Sequence, residues 1–225
     1  MRMLALLALA LLGVSPAPAW AQSIKMGAVV PLTGRYGAGG AQIRAGYEFA
    51  VERLNAGGGI TVGGVKLPDK QGVGGEELVF NGAGIRTRAV FKVYVGSLYL
   101  PAKAGTLDAV LAKGPRRIQL NLLRDLSGDQ LADAVMDGLK DNNPPADVDA
   151  LKPQTDQFIA ITKSMGALKE GSVVTIDYAD GATKVGFNGA EKGSIPGDAF
   201  NRALTRIWLG DKPVQADLKK AMLGG

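Results

Sequence analysis

Arg86 is the residue whose type and setting most directly suggest chemistry. It stands in the stretch NGAGIRTRAVFKVYVGSLYLP, where the segment Asn81 to Gly84 predicts a tight turn that leads into a strand. A guanidinium held at such a bend can receive a carboxylate through two parallel hydrogen bonds. The alternative is structural, with Arg86 extended along the surface at a strand end or paired with a neighbouring acid. The residues alone leave both interpretations open.

The residue inventory excludes several other chemistries. The chain contains no Cys and no His, so disulfides, thiolate nucleophiles, His-based triads and the usual zinc sites are ruled out. Proton transfer would fall to Asp, Glu, Lys, Tyr or water. No metal and no cofactor are expected, and no catalytic residue is assigned.

A glycine-rich loop, LTGRYGAGGAQ, invites comparison with phosphate-binding loops, because backbone N–H groups at a helix N-terminus attract anions. Its spacing does not fit, since Gln42 occupies the next position where a glycine is required. No Gly-Lys-Ser/Thr follows either. The loop is therefore interpreted as a plain turn.

Two kinds of element surround these residues. Residues 24–30 alternate and then run apolar like a buried strand, and apolar positions from Ile43 to Leu54 have helical spacing, so residues 22–60 predict one strand-helix unit. From Gly63 onward short strands alternate with glycine turns, and helices come in blocks. This succession predicts an α+β domain, an antiparallel sheet covered on one face by helices.

Several local signals fix the expected elements of that domain. Residues 91–100 and 116–125 predict strands, and Ser127 with Gln130 predicts a capping box at the start of a helix. A β-hairpin is expected to turn at Asp180-Gly181. Helices are expected through Met165 and over residues 196–209 and 214–223.

The first 21 residues predict a secretory signal peptide. Arg2 precedes an apolar run too short to span a bilayer, and Ala19-Trp20-Ala21 is a small-x-small cleavage site, with an uncleaved anchor as the alternative. Cleavage after Ala21 would release a periplasmic or secreted protein with no membrane span. Removing Arg2 lowers the formal charge from +5 to +4. The basic residues are scattered, so nucleic acid is not an expected partner.

From Val65 to Leu223 the chain resembles the bacterial chalcone isomerase-like proteins. The resemblance rests on the Gly-Ala-Gly-Ile-Arg segment, the strand FKVYVGSLYLP, the phrases LLRDLSGDQL and SIPGDAF, the hairpin DYADGATKVGFNG and the ending WLGDKPVQADLKKAML. It implies an open-faced β-sandwich, a large antiparallel sheet with a helical layer and a ligand cleft between them. Residues 61–225 are assigned to this domain.

The resemblance also implies a site. Arg86 matches an arginine that holds the substrate in the catalytic branch and grips a carboxylate, together with a tyrosine, in the fatty-acid-binding branch. The family's strand threonine falls on Tyr94, its helix tyrosine and asparagine on Leu131 and Gly138, and its late Thr-Met pair on Ile207 and Trp208. Most polar positions that the isomerase needs are therefore apolar here.

Arg86 and Tyr94 are accordingly expected to bind the ligand, and Leu131, Ile207 and Trp208 to line the cleft. Two alternatives stay open: strand register could place Tyr94 on the other face of the sheet, and Trp208 could be core rather than ligand wall.

Residues 24–60 resemble a different family, the periplasmic binding proteins for branched-chain amino acids, through IKMGAVVPLTGRYGAGGAQIRAGYEFAVERLNAGGGI. The resemblance covers one strand-helix unit, and the chain is too short for the two lobes of such a receptor. It suggests an N-terminal unit of separate ancestry joined at residues 57–64.

Three functions follow from these observations. The first is a non-catalytic binder of a fatty acid or similar amphipathic carboxylate anchored by Arg86. The second is a chalcone-flavanone-type isomerase that closes a ring intramolecularly, in which case the ligand is flavonoid-like. The third is an amino-acid-binding component of a transporter.

Overall fold

The structure, a computed structural model, describes residues 43–45, 47, 59–112 and 114–225. The chain divides into two compact units, residues 1–48 and 49–225. Within the first unit, residues 43–45 and Tyr47 are helical, inside the span where the sequence predicts a helix. The predicted signal peptide and the strand over residues 24–30 lie outside the described residues.

The second unit contains the strands and helices of an α+β domain. Its strands are β1 Ile60–Val62, β2 Val65–Leu67, β3 Lys70–Val73, β4 Glu76–Arg88, β5 Phe91–Leu100, β6 Arg116–Leu122, β7 Leu126–Ser127, β8 Ala167–Leu168, β9 Val173–Ala179, β10 Ala182–Phe187 and β11 Ala190–Pro196. Its helices are α1 Leu107–Val110, α2 Gly128–Asn142, α3 Pro145–Ala150, α4 Lys152–Ser164, α5 Asp198–Leu209 and α6 Ala216–Met222.

Seven of these strands form one antiparallel sheet in the order β11-β10-β9-β6-β5-β4-β3. Alternation along each strand separates its two faces. In β6, Ile118 and Leu120 belong to the core beneath the helices, whereas Arg117 and Gln119 form hydrogen bonds on the opposite face. The sheet thus carries an apolar face for the helical layer and a mixed outer face.

The helical layer packs as the apolar spacing predicts. Leu131, Val135 and Leu139 are buried on one face of α2, and α5 buries Phe200, Leu204, Ile207 and Trp208. The capping box at Ser127 and Gln130 is present, with both reciprocal hydrogen bonds formed. Together with the sheet, this layer confirms the predicted α+β class, an antiparallel sheet covered on one face by helices.

A second, smaller core lies on the outer face of the sheet. The β1–β2 hairpin contributes Leu67, which is buried with Leu78, Phe80, Val95 and Tyr99. The hairpin predicted at Asp180-Gly181 joins β9 to β10, and both turn residues have positive φ, 55° and 73°. That geometry is the one that two-residue hairpin turns favour.

The tight turn expected over Asn81 to Gly84 is wrong, because these residues lie inside the long strand β4. Gly82 and Gly84 serve a different purpose: a Cβ on Gly82 would collide with the carbonyl oxygen of Ala221, and one on Gly84 would lie 2.9 Å from the Cβ of Ala221. Glycines two residues apart on one strand face therefore let α6 approach the sheet.

Candidate functional site

Arg86 and Tyr94 are direct cross-strand neighbours in the β4–β5 pair. Residues opposite each other in an antiparallel pair point to the same face of the sheet. Tyr94 belongs to the core beneath the helical layer, so strand register places its ring on the helix side rather than on the outer face. The two side chains predicted to bind ligand are thus adjacent at the edge of the helix-side core, in unit 49–225.

Gln215, which the sequence did not single out, holds this part of β4. Strand β3 pairs with residues 76–79 of β4, and none of the described strands pairs with the same edge beyond them. Gln215 Nε2 donates to the carbonyl of Ile85 at 3.1 Å, and its Oε1 accepts from the backbone N–H of Thr87 at 2.8 Å. The side chain therefore satisfies strand groups that lack a neighbouring strand. Its position just before α6 gave no sequence signal of these contacts.

The guanidinium of Arg86 is half-buried and contacts neutral acceptors. Its Nη1 donates to the carbonyl of Thr87 at 2.6 Å and to Gln215 Oε1 at 3.4 Å. No carboxylate among the described residues lies within ion-pair distance of it. Its positive charge is thus oriented by the protein and is not neutralised by any described group.

Tyr94 is buried, with 8% of its surface exposed, and its hydroxyl accepts a hydrogen bond from Trp208 Nε1 at 3.0 Å. A phenol that accepts in this way keeps its own proton to donate elsewhere. Burial raises the pKa of Tyr94 to about 12, although the Trp208 bond and the nearby Arg86 charge act in the opposite direction. At neutral pH Tyr94 is therefore an O–H donor, and it is poorly suited to act as a general base.

Leu131, Ile207 and Trp208 belong to the same apolar cluster as Tyr94. Ile207 and Trp208 are each 2% exposed and Leu131 is 8% exposed. A Cβ on Gly138 would lie 2.7 Å from Ile207 Cγ2, so the small residue in α2 allows α5 to pack closely. Val93 and Val214 lie partly exposed at the margin of this cluster.

A separate cavity of about 460 Å³ opens on the outer face of the sheet and does not include Arg86 or Tyr94. Two of the four charged side chains that line it pair with each other, since Arg117 forms two 2.6 Å hydrogen bonds with Asp177 and a third, of 2.9 Å, with Gln71. Nearby, the buried hydroxyl of Tyr99 has no hydrogen-bond partner within the described chain. Burial raises the pKa of Tyr99, an effect that Gln71 and Ser97 partly offset.

Within the ranges the structure describes, no group of three or more acidic residues is placed to hold a metal ion. In the same ranges no helix combines the length and apolarity needed to cross a bilayer.

An antiparallel sheet covered on one face by a helical layer is the architecture expected of a chalcone isomerase-like domain. Residues 59–224 match the family described as chalcone isomerase-like, and the chain belongs to this family. The predicted resemblance over Val65 to Leu223 is thereby confirmed.

A solved structure supports the same fold. The fatty-acid binding protein of Arabidopsis thaliana superposes with a TM-score of 0.58 at 18% identity, covering 71% of this chain and 92% of that one. A search of curated proteins finds no match. The resemblance of residues 24–60 to amino-acid receptors, and the division at residue 60, stay predictions.

Proposed function

We propose that this protein binds a fatty acid or similar amphipathic carboxylate without transforming it. Arg86 holds the carboxylate, Tyr94 donates a second hydrogen bond to it, and the tail lies against the margin of the apolar cluster that contains Leu131, Ile207 and Trp208, where Val93 and Val214 are partly exposed. One observation carries the proposal. The Arg86 guanidinium is held by neutral acceptors, and its cross-strand neighbour Tyr94 accepts a hydrogen bond from Trp208, so that the Tyr94 O–H can still donate one.

The ligand class follows from the two halves of the site. A carboxylate would replace the missing counter-charge of Arg86, and a charge-assisted hydrogen bond is about twice as strong as a neutral one. Each methylene of a tail buried against the cluster would add about 0.8 kcal/mol. The structural neighbour from Arabidopsis, a fatty-acid binding protein, supports the same ligand class.

The absence of turnover is part of the proposal. Ring closure of a chalcone-type substrate needs groups that orient the substrate and transfer protons. Of the family's polar positions, two are occupied here by Leu131 and Gly138, and Tyr94 keeps its proton up to high pH because burial raises its pKa to about 12. One arginine with one phenol donor is suited to binding a carboxylate.

Calorimetric titration with laurate and with dodecanol tests the anchor. Both ligands have the same tail, so only the carboxylate should depend on Arg86. We expect Arg86→Met to weaken laurate binding by at least about tenfold and to leave dodecanol binding nearly unchanged. Lys66→Met, which removes one exposed positive charge from the β1–β2 hairpin, is the matched control and should bind laurate like the wild type.

Two results would overturn this proposal. If laurate binds equally well to Arg86→Met, the anchor is wrong; if chalcone is cyclised faster than in buffer, the protein is an isomerase. Stopped-flow absorbance with chalcone supplies the second measurement.

The proposed compartment is the periplasm or the exterior of the cell, supported by the signal-like residues 1–21. Expression of the full chain in a Gram-negative host should give a product that begins at Gln22 in the periplasmic fraction. N-terminal sequencing checks this, and retention of Met1 in the cytosol would contradict it.

A further inference from the structure

The tip of the β4–β5 hairpin exposes two large apolar side chains. Arg88 pairs with Phe91, so the turn consists of Ala89 and Val90 alone. Val90 is 85% exposed and Phe91 is 56% exposed. We name residues 88–92 together with Arg124 the hairpin tip.

Folding alone does not explain these residues. Two-residue hairpin turns favour Asn, Asp and Gly, because at least one position needs a positive φ. Here Ala89 takes that position with a φ of 52°, and the next residue is a β-branched valine that contributes nothing to the core. Turn chemistry and burial would both favour polar residues at this place, so its apolar character points to a partner.

The hairpin tip is also basic. Arg88, Lys92 and Arg124 are exposed, and the Arg124 guanidinium lies 4.8 Å from the centroid of the Phe91 ring. The sequence has no Asp or Glu between Glu77 and Asp108.

The nearest acid along the chain does not neutralise this charge. Asp125 follows Arg124 directly, but its carboxylate is paired with Lys169 at 2.7 Å. Among the described residues, Arg88 and Lys92 form no ion pair with any carboxylate. Exposed apolar side chains framed by unneutralised cations fit one surface well, the headgroup boundary of an anionic bilayer.

We propose that the hairpin tip docks on an anionic lipid membrane. Val90 and Phe91 enter the boundary between headgroups and acyl chains, while Arg88, Lys92 and Arg124 contact lipid phosphates. The stacking of Arg124 on Phe91 keeps that cation next to the inserted ring. This docking is independent of the function proposed for Arg86.

A consequence that does rest on the proposed function concerns the route of the ligand. Arg86 lies two residues before Arg88 on the same strand, about 7 Å away at the usual strand rise of about 3.4 Å per residue. A docked hairpin tip would thus hold the proposed carboxylate anchor close to the membrane surface. A fatty acid could then pass between bilayer and protein with a short exposed path.

Vesicle flotation tests the docking. The protein is expressed from the whole sequence, whether or not the host cleaves residues 1–21. It is mixed with vesicles of pure phosphatidylcholine or with vesicles in which one quarter of the lipid is phosphatidylglycerol. We expect binding to the anionic vesicles to be at least about tenfold stronger, and to weaken as salt rises. The double variant Val90→Ser/Phe91→Ser should lower that binding by at least about tenfold, because it removes the inserted side chains.

A matched pair of charge variants separates local docking from general attraction. Arg88→Gln/Lys92→Gln and Lys66→Gln/Lys192→Gln each remove two exposed positive charges, the second pair away from the hairpin tip. Only the first pair should weaken binding strongly. Equal losses in both pairs, or full binding by Val90→Ser/Phe91→Ser, would refute the proposal.

Phe91→Trp gives an independent signal without removing an apolar side chain. Its fluorescence should shift to the blue on anionic vesicles and stay unchanged on neutral ones. No shift on anionic vesicles contradicts insertion. Laurate titration of Val90→Ser/Phe91→Ser distinguishes the two proposals. Unchanged laurate affinity together with lost vesicle binding supports docking at the hairpin tip. If laurate does not bind the wild-type protein, the function proposed for Arg86 is contradicted and the docking proposal is not affected.

Discussion

Arg86 and Arg116 both extend from the sheet toward the helical layer, and their surroundings differ in one decisive respect. Arg116 is 2% exposed, donates to Asn201 Oδ1 at 2.7 Å and lies 3.4 Å from Asp198. Its guanidinium also lies 4.2 Å from the centroid of the Tyr178 ring. Arg86 has neutral acceptors and no described counter-charge.

The difference distinguishes Arg116, which has a structural role, from Arg86, which is proposed to bind a ligand. Burial lowers the pKa of Arg116, and Asp198 acts against that shift, so the protein itself supplies what a buried cation needs. Asn201 Nδ2 donates a further hydrogen bond to Thr183 Oγ1 at 3.0 Å, which connects α5 to β10. Among the described residues Arg86 bonds only to Thr87 and Gln215, and its remaining donors are the ones proposed to bind the ligand carboxylate.

The largest expected contrast is in stability. Arg116→Met leaves Asn201 Oδ1 without its charged donor and should lower the free energy of unfolding by about 3 kcal/mol. Arg86→Met should cost less than about 1 kcal/mol, because that side chain is partly solvated and bonded to neutral groups. Urea unfolding at neutral pH measures both. Similar costs for the two variants would show that Arg86 is as structural as Arg116.

The next contrast concerns the phenol beside Arg86. Burial holds the folded-state pKa of Tyr94 at about 12, above its usual value of about 10. As pH rises between these values the unfolded chain releases the proton first, so stability falls with pH; the loss is on the order of 1 kcal/mol at pH 11. Tyr94→Phe removes this component.

The measurement is urea unfolding of wild type and Tyr94→Phe at pH 8 and pH 11. The wild type should lose on the order of 1 kcal/mol more than the variant over that range. In Arg86→Met the fall should begin at the same pH but continue to higher pH and become larger, since removing the Arg86 charge raises the folded-state pKa of Tyr94 further. Parallel pH profiles for wild type and Tyr94→Phe would mean that Tyr94 is solvated.

Much of the fold was accessible from local signals in the sequence. The capping box at Ser127, the Asp180-Gly181 turn and the apolar face of α2 each depend on residues a few positions apart. Such signals predict an element without knowledge of its neighbours. The order of strands in the sheet was not predicted, because it depends on pairing between distant segments; the family resemblance implied only a large antiparallel sheet with a helical layer.

The predictions that failed concern residues whose roles depend on contacts between distant segments of the chain. Gly82 and Gly84 suggested a turn. They are needed instead because α6, some 140 residues later in the chain, packs closely against this strand, and that contact cannot be seen in the local sequence. The same holds for Gln215, which bonds to Ile85 and Thr87 across about 130 residues. Arg86 could be singled out from its residue type and family position, but its lack of a counter-charge required the structure.

The smallest expected effect comes from giving Arg86 a carboxylate partner, as Asp198 is for Arg116. Gln215→Glu would place a carboxylate where Oε1 now lies, 3.4 Å from Arg86 Nη1. The new ion pair is partly solvated and should be worth about 1 kcal/mol, so laurate, which must compete with it, should bind about fivefold more weakly. Gln215→Ala loses the bonds to both Ile85 and Thr87 without adding a charge, whereas Gln215→Glu loses the bond to Ile85 and keeps an acceptor for Thr87. Calorimetry on both variants separates the effect of the carboxylate from that of a looser strand edge, because Gln215→Ala loosens the edge at least as much. A laurate affinity as low in Gln215→Ala as in Gln215→Glu would mean that orientation of Arg86 by Gln215, rather than its free charge, governs binding.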